Sequence, residues 1–393
     1  MSSAWCSHRP SFAALSRRQL SQSRGRLLAA QHTFAYFVAT YGVMNEHQVA
    51  FGEGTCGCHF GAKPVSKGGK ALMSIDTLSQ IGLERAKTAR EAVQIMGDLA
   101  VQYGFYGEGF EGSGESLMVI DPSNAWVFHV SPDPSGASAI WAAQRVPDDH
   151  VAVVDNMYVI REIDTTDSEN FLFAPKMHQI AQEQKLWSPS DGPLDFAGVF
   201  SSGEYGHKYY SGRRMWGSFH LLAPSASLSP HYGNLRTDKP HPYPFSIKPD
   251  ALLEVGDLFR VHRSNYENTS FDATAGLAAG PYGQPNRYGA GEFANGTAVT
   301  GNWERTISIY RSTYSSVVQA RGWLPNAAGG TVWWGPHAAH ATCYAPLPIG
   351  LASSTSAEPE AQLPHRYTIG YQSIKDDSAL CEHYTPVCSC LHA

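Results

Sequence analysis

The sequence predicts an α+β domain in which antiparallel strand pairs are layered with helices. Three observations carry that expectation. Residues 41–54 hold two short apolar runs, Val43-Met44 and Val49 to Phe51, hinged on the polar Asn45-Glu46-His47-Gln48; alternation around a polar turn is the pattern of a hairpin. Residues 115–121 and 125–131 form a second pair, joined by Asp121-Pro122-Ser123-Asn124, residue types that favour a tight turn. Residues 81–103 place Leu83, Ala86, Ala89, Val93, Met96 and Ala100 three or four apart, the spacing of a helix with one buried face. Asp76 or Ser79 can cap its start, and Gly104 stands where a helix tends to close.

The remaining elements follow in order. Residues 32–60 read as the opening strands, and Ala50, Gly52 and Gly54 leave room for a close approach to the outgoing strand. Residues 141–146 and 151–154 are expected to pair across Pro147-Asp148-Asp149, and 167–185 to be helical over their second half. Residues 187–244, rich in Gly, Pro, His and Tyr, read as an irregular surface excursion. A helix is expected over 250–263, strands at 306–310 and 315–319, and two more at 331–334 and 342–346. This gives a disordered basic leader over 1–31, one domain over 32–350, and a linker with an irregular tail over 351–393.

Bulk chemistry excludes several functions. The net charge of −6 supplies no basic surface for nucleic acid or an anionic membrane. The seven cysteines include Cys56 and Cys58 near one end and Cys381, Cys388 and Cys390 near the other. That separation does not suit a zinc site, so free thiols or a local disulfide are expected, with no metal or other cofactor. No stretch is apolar enough to span a bilayer, and the Ser- and Arg-rich start lacks the apolar core of a secretory signal. The compartment is left undetermined. There is no Gly-x-Ser-x-Gly elbow, P-loop or His-Glu-x-x-His, and Gly107, Gly109, Gly112 and Gly114 precede a strand instead of opening a helix. They read as a flexible loop.

Several stretches taken together resemble the C69 dipeptidase family of N-terminal-nucleophile hydrolases. They are Met44-Asn45-Glu46-His47-Gln48-Val49-Ala50, Gly82-Leu83-Glu84-Arg85-Ala86-Lys87-Thr88-Ala89-Arg90-Glu91-Ala92, Asp121-Pro122-Ser123-Asn124-Ala125-Trp126-Val127, and Trp141-Ala142-Ala143-Gln144-Arg145-Val146-Pro147-Asp148-Asp149. Asn156-Met157-Tyr158-Val159-Ile160-Arg161-Glu162, Gly276-Leu277-Ala278-Ala279-Gly280-Pro281-Tyr282-Gly283, Glu304-Arg305-Thr306-Ile307-Ser308-Ile309-Tyr310-Arg311 and Trp334-Gly335-Pro336 continue the match. The resemblance implies a four-layer αββα sandwich of the N-terminal-nucleophile kind, in which two antiparallel sheets face each other between helices. It also implies a cysteine nucleophile exposed at a processed N-terminus. The α-amino group of such a cysteine has a pKa near neutrality and is within reach of its own thiol, so it can serve as the base.

Carried onto this chain, the resemblance makes Cys6 the candidate nucleophile, Asn156 the residue that orients substrate or oxyanion, and Arg305 the arginine beside the nucleophile. Asn45 and Glu46 would line the same cleft and bind substrate. Each has a plainer reading: Asn156 as a turn residue, Arg305 as one half of an ion pair with Glu304 or Glu292, and Asn45-Glu46 as hairpin chemistry. The chain departs from the family pattern at both ends. Cys6-Ser7 is followed by no Asp-Gly-Ser turn, so the first hairpin is expected to be incomplete, and a short Cys-containing tail stands in place of the C-terminal helices. The leading expectation is a cysteine-type dipeptidase acting on short peptides. The alternatives are an inactive family member that binds without cleaving, and an amidase acting on other acyl amides. Whether the chain forms a homo-oligomer is left open.

Overall fold

The computed structural model describes residues 13–15, 33–108, 113–204, 209–231, 243–286, 293–294, 297–298 and 304–352. Cys6 and the leader apart from Ala13–Leu15, Gly109 and Gly112, Glu292, and the tail after Ala352 lie outside them.

The first half builds one antiparallel sheet. Its strands are β1 (Ala13–Leu15), β2 (Tyr36–Val38), β3 (Gly42–Asn45) and β4 (Ala50–Gly57). Two helices follow, α1 (Ile75–Arg85) and α2 (Ala89–Tyr103), and then β5 (Ser113–Ile120), β6 (Ala125–Pro132) and β7 (Ala139–Val146). With β9 (Phe171–Phe173), which comes after the short β8 (Val151–Ala152), they lie in the order β1-β2-β3-β4-β5-β6-β7-β9. The expected hairpin at 41–54 is therefore present as β3 and β4.

The single helix expected over 81–103 is two. Ala86 and Ala89 both stay on the buried face, so the apolar period runs unbroken through the junction. The backbone turns extended at Ala86, and a new polar cap restarts the helix: Thr88 accepts from the Glu91 amide at the start of α2, as Ser74 accepts from the Thr77 amide at the start of α1.

The two faces of the sheet are covered differently, because successive side chains of a strand point opposite ways. Phe51, Leu117, Val119, Phe128 and Val130 meet Ile81, Leu83, Val93 and Met96 of the helices in the main core. Gly97 of α2 lets Trp141 lie against the helix backbone, since a Cβ there would stand 2.2 Å from the indole ring. Phe37, Met44 and Ala50 on the other face pack with Val332, Trp334, Leu347 and Ile349 in a second core. Burying a large apolar side chain stabilises by roughly 1.5–3 kcal/mol, so both faces contribute.

The middle of the chain holds α3 (Met177–Glu183), α4 (Phe196–Phe200), α5 (Gly212–Leu222), β10 (Ser246–Ile247) and α6 (Val255–Arg263), with the small hairpin β11 (Phe293–Ala294) and β12 (Thr297–Ala298) beyond. The excursion expected over 187–244 thus contains a regular helix, α5. Strand β8 pairs with β10, not with β7. The second core's partner sheet is β13 (Ser315–Gln319), β14 (Thr331–Gly335) and β15 (Ala345–Pro348), all antiparallel, with the one-turn α7 (Asn326–Gly329) before β14. Residues 306–310 form no strand. Helix α6 packs on this small sheet: Phe259 stacks on Tyr344 at 4.1 Å between ring centroids, and its ring edge meets Trp333 at 5.8 Å.

Candidate active site

The site is assembled where the chain leaves β8. Asn156 sits there at φ +57°, a left-handed conformation that Asn tolerates better than most residues with a Cβ. Its Nδ2 donates to the carbonyl of Thr55 on β4 at 2.7 Å, and its Oδ1 accepts from Nη2 of Arg214 at 2.7 Å. The side-chain amide is thereby fixed in one orientation, with the second Nδ2 hydrogen still available to donate.

Arg214 lies in the first turn of α5. Its Nε donates to the Tyr210 carbonyl at 2.5 Å, its Nη2 also reaches the Asp155 carbonyl at 3.3 Å, and its Nη1 stands 3.4 Å from Oδ1 of Asp155. Burial raises the Asp155 pKa, against the pull of Arg214 and Arg305. Oδ2 of Asp155 is buried and has no hydrogen-bond partner.

Arg305 completes the cluster. Its Nη1 donates to the carbonyls of Thr306 and Ile307, at 2.5 and 3.0 Å, and its own carbonyl accepts from the Tyr266 hydroxyl at 2.5 Å. The neighbouring Glu304 is held by Arg213 of α5 through contacts of 2.7 and 3.2 Å, so the plainer expectation of a Glu304–Arg305 pair is replaced by a Glu304–Arg213 pair. The guanidinium carbons of Arg305 and Arg214 lie 5.3 and 4.6 Å from the centre of the Tyr210 ring. Burial, and then the charge of Arg214, push the Arg305 pKa down to about 10. Burial acts to raise the Tyr210 phenol, but the cations of Arg305, Arg214 and Arg311 outweigh it and the pKa is lowered. Nε of Arg305 is buried without an acceptor. Arg305, Arg214 and Arg311 around Tyr210, beside the Asp155 carboxylate, make a cluster suited to an anionic group.

Asn156 and Arg305, more than 140 positions apart in sequence, are thus linked through Arg214, Tyr210 and Asp155. Asn45 and Glu46 stand elsewhere, at the β3–β4 turn. Asn45 is fully buried; its Nδ2 donates to the carbonyls of Leu83 and Ala86, both at 2.8 Å, and its Oδ1 accepts from the amides of His47 and Val49, both at 3.0 Å. Oε1 of Glu46 accepts from the Ala35 amide at 3.2 Å. Both therefore tie the turn to its surroundings. They lie at the opposite end of β4 from Thr55, roughly 17 Å away at about 3.4 Å per residue. Cys6 lies outside the described residues. Cys56 and Cys58 are buried thiols, both raised by burial, so neither is poised as a thiolate.

Sequence reasoning missed Arg214, Tyr210 and Asp155. The signal for Arg214 was present: Met215, Trp216, Phe219 and Leu222 follow it at helical spacing, within a stretch whose Gly and Pro content masked the period. A separate acidic pair lies on the helix-facing side of the large sheet. Glu53 and Glu115 project from the same face of neighbouring strands β4 and β5, hydrogen-bonded to each other. Burial pushes Glu53 up to about 7 and Glu115 well above its ordinary value. Among the described residues no group of His, Cys, Asp and Glu is arranged to hold a metal ion, and no helix is long and apolar enough to cross a membrane.

Known proteins resemble this chain over most of its length. Peptidase family C69 matches residues 24–361. A probable dipeptidase of Latilactobacillus sakei is 25% identical over 313 residues, covering 78% of this chain and 55% of its own length. A probable dipeptidase of Salmonella dublin is 26% identical over 66% of this chain and 51% of its own length. Dipeptidase A of Lactobacillus helveticus is 25% identical over 69% and 49%, respectively. The chain spans about half the length of these curated relatives. With the family match running across both sheets and through Asn45, Asn156, Arg214 and Arg305, the chain belongs to peptidase family C69.

Proposed function

We propose that the chain acts as a cysteine-type dipeptidase, hydrolysing short peptides through a thiol acyl-enzyme. The observation that carries this reading is the joining of Asn156 and Arg305 around Tyr210 and Arg214. In this reading the Cys6 thiol gives its proton to its own α-amino group once the preceding residues are removed, and the thiolate attacks the peptide carbonyl. The free hydrogen on Asn156 Nδ2 donates to the oxyanion as it forms, the kind of donor worth most in a site that excludes water. Arg305 and Arg214 stabilise negative charge on the thiolate and on the substrate's carboxylate. The amine product departs with a proton, and water then releases the acyl group from sulfur. Asn45 and Glu46 support the hairpin in this scheme and do not touch the substrate.

The finer architecture of the reading, a four-layer αββα sandwich, is supported by the order of contacts: α1 and α2 against the large sheet, the β13–β15 sheet against its other face, and α6 beyond. The test is to read the N-terminus of the mature chain by mass spectrometry and to assay that species on a panel of dipeptides beside non-peptide acyl amides. A chain beginning at Cys6 that cleaves dipeptides supports the proposal. A chain that keeps its leader and cleaves neither class refutes it, and preference for the acyl amides makes it an amidase.

A further inference from the structure

We propose that His129, a buried imidazole that touches neither arginine of the cluster, is a positioning residue that fixes Asn156 for its role; the inference rests on the reading of Asn156 given above. His129 lies on β6, paired across the sheet with Ser116 of β5, and is fully buried. Its Nε2 stands 2.9 Å from the Val159 amide nitrogen and 3.3 Å from that of Ile160. Backbone amides only donate, so Nε2 must be the unprotonated acceptor and Nδ1 must carry the ring hydrogen. Nδ1 then donates to Oγ of Ser116, 2.6 Å away.

The direction of the chain beyond Ser116 follows. Sγ of Cys56 donates to the Gly54 carbonyl at 3.3 Å and lies 3.1 Å from Oγ of Ser116, so the Ser116 hydroxyl donates to sulfur. The relay runs from His129 to Ser116 to Cys56 to the Gly54 carbonyl, one residue before the Thr55 carbonyl that receives the Asn156 amide. The five-residue segment 156–160 is thus held at both ends, at Asn156 by β4 and at Val159 and Ile160 by the imidazole. Tyr158, between them, lies with its ring 4.7 Å from the imidazole and its hydroxyl donating to the Val130 carbonyl at 2.8 Å. A left-handed residue with a Cβ persists where its surroundings over-determine it. His129 supplies that constraint from three residues away.

The test uses the full chain, with exchange measured first because it needs no turnover. His129→Phe removes the acceptor, and amide hydrogen exchange in a peptide spanning 155–160 is expected to rise about tenfold or more while β5 and β7 keep their protection. His129→Gln, whose side-chain oxygen can accept where Nε2 did, is expected to restore most of that protection. Should His129→Phe fail to fold, Ser116→Ala and nitrogen NMR of labelled histidine carry the test: the wild type is expected to show the Nδ1–H tautomer. Unchanged exchange at 155–160 in a folded His129→Phe chain, or an Nε2–H tautomer in the wild type, overturns the proposal. Dipeptide hydrolysis then separates the two readings. If His129 acts through Asn156, His129→Phe lowers kcat by about tenfold to a hundredfold with KM little changed, as misplacement of a reacting group does. The same change made in an Asn156→Ala background adds nothing. A crippled Asn156→Ala with a fully active His129→Phe sinks this proposal alone; a fully active Asn156→Ala sinks the reading of Asn156 and leaves the exchange result standing.

Discussion

Arg214 holds the Asn156 side chain by a single hydrogen bond of 2.7 Å from Nη2 to Oδ1, while its other terminal nitrogen faces Asp155 at 3.4 Å. One guanidinium therefore sets the orientation of the amide and compensates the Asp155 carboxylate.

Removing that cation should damage the fold as well as the site. Arg214 and Asp155 are both largely buried, with side chains 8% and 16% exposed. Breaking a buried pair from one side costs about 3–5 kcal/mol, because the remaining charge has no partner. Arg214→Ala is expected to lower stability by that order in urea unfolding, and Arg214→Met combined with Asp155→Asn to recover much of the loss. Equal stabilities for the single and double variants would refute the coupling.

Asn45 offers the opposite kind of prediction. Its amide makes four hydrogen bonds to main chain at the end of α1 and in the β3–β4 turn. Asn45→Ala leaves those buried groups unsatisfied, at about 1–3 kcal/mol each before relaxation. The midpoint of thermal unfolding should fall sharply, while KM for dipeptides, measured well below that midpoint, stays within about twofold of wild type, since the turn lies far from Thr55. A large rise in KM with little change in stability would return Asn45 to the substrate cleft.

The acidic pair predicts a pH dependence. Burial raises Glu53 from an ordinary value of 4.5 to about 7, so the folded chain binds a proton that the unfolded chain has already released between those values. Stability from this group is fully present below pH 4.5 and is lost as pH rises through 7. Glu53→Gln should flatten that decline in a series of unfolding curves.

His129 slopes the other way: burial lowers it from 6.5 to about 3, so its contribution is present above pH 6.5 and is lost as pH falls toward 3. His129→Gln should therefore steepen nothing on the alkaline side and should remove part of the acid-side loss. An unchanged acid limb would show that the imidazole is already protonated in the folded chain.

How much of this the sequence revealed depended on whether local pattern and tertiary contact agreed. The β3–β4 hairpin was legible because Val49 and Phe51 face one core and Ala50 the other, which is alternation in its simplest form. The break between α1 and α2 was not, because Ala86 and Ala89 keep the apolar period through it and only the cap at Thr88 marks it. Strand β8 was misassigned to β7 because two adjacent β-rich runs cannot declare which partner they take; its partner, Ser246–Ile247, lies some 95 residues on. Family resemblance drew attention to Asn156 and Arg305; Tyr210, which joins them, carries no local signature, and the helical period that places Arg214 on α5 is masked by the Gly and Pro around it.

The most direct measurement is the rate of dipeptide hydrolysis by a folded chain beginning at Cys6, beside its Asn156→Ala and Arg305→Ala variants. Loss of an oxyanion donor costs about a hundredfold to a thousandfold in kcat, so Asn156→Ala, assayed below its own unfolding midpoint, should fall by that order, and Arg305→Ala should fall too. Wild-type turnover from a folded Asn156→Ala chain, or no turnover from the processed parent, would contradict the assignment of peptide cleavage to this cluster.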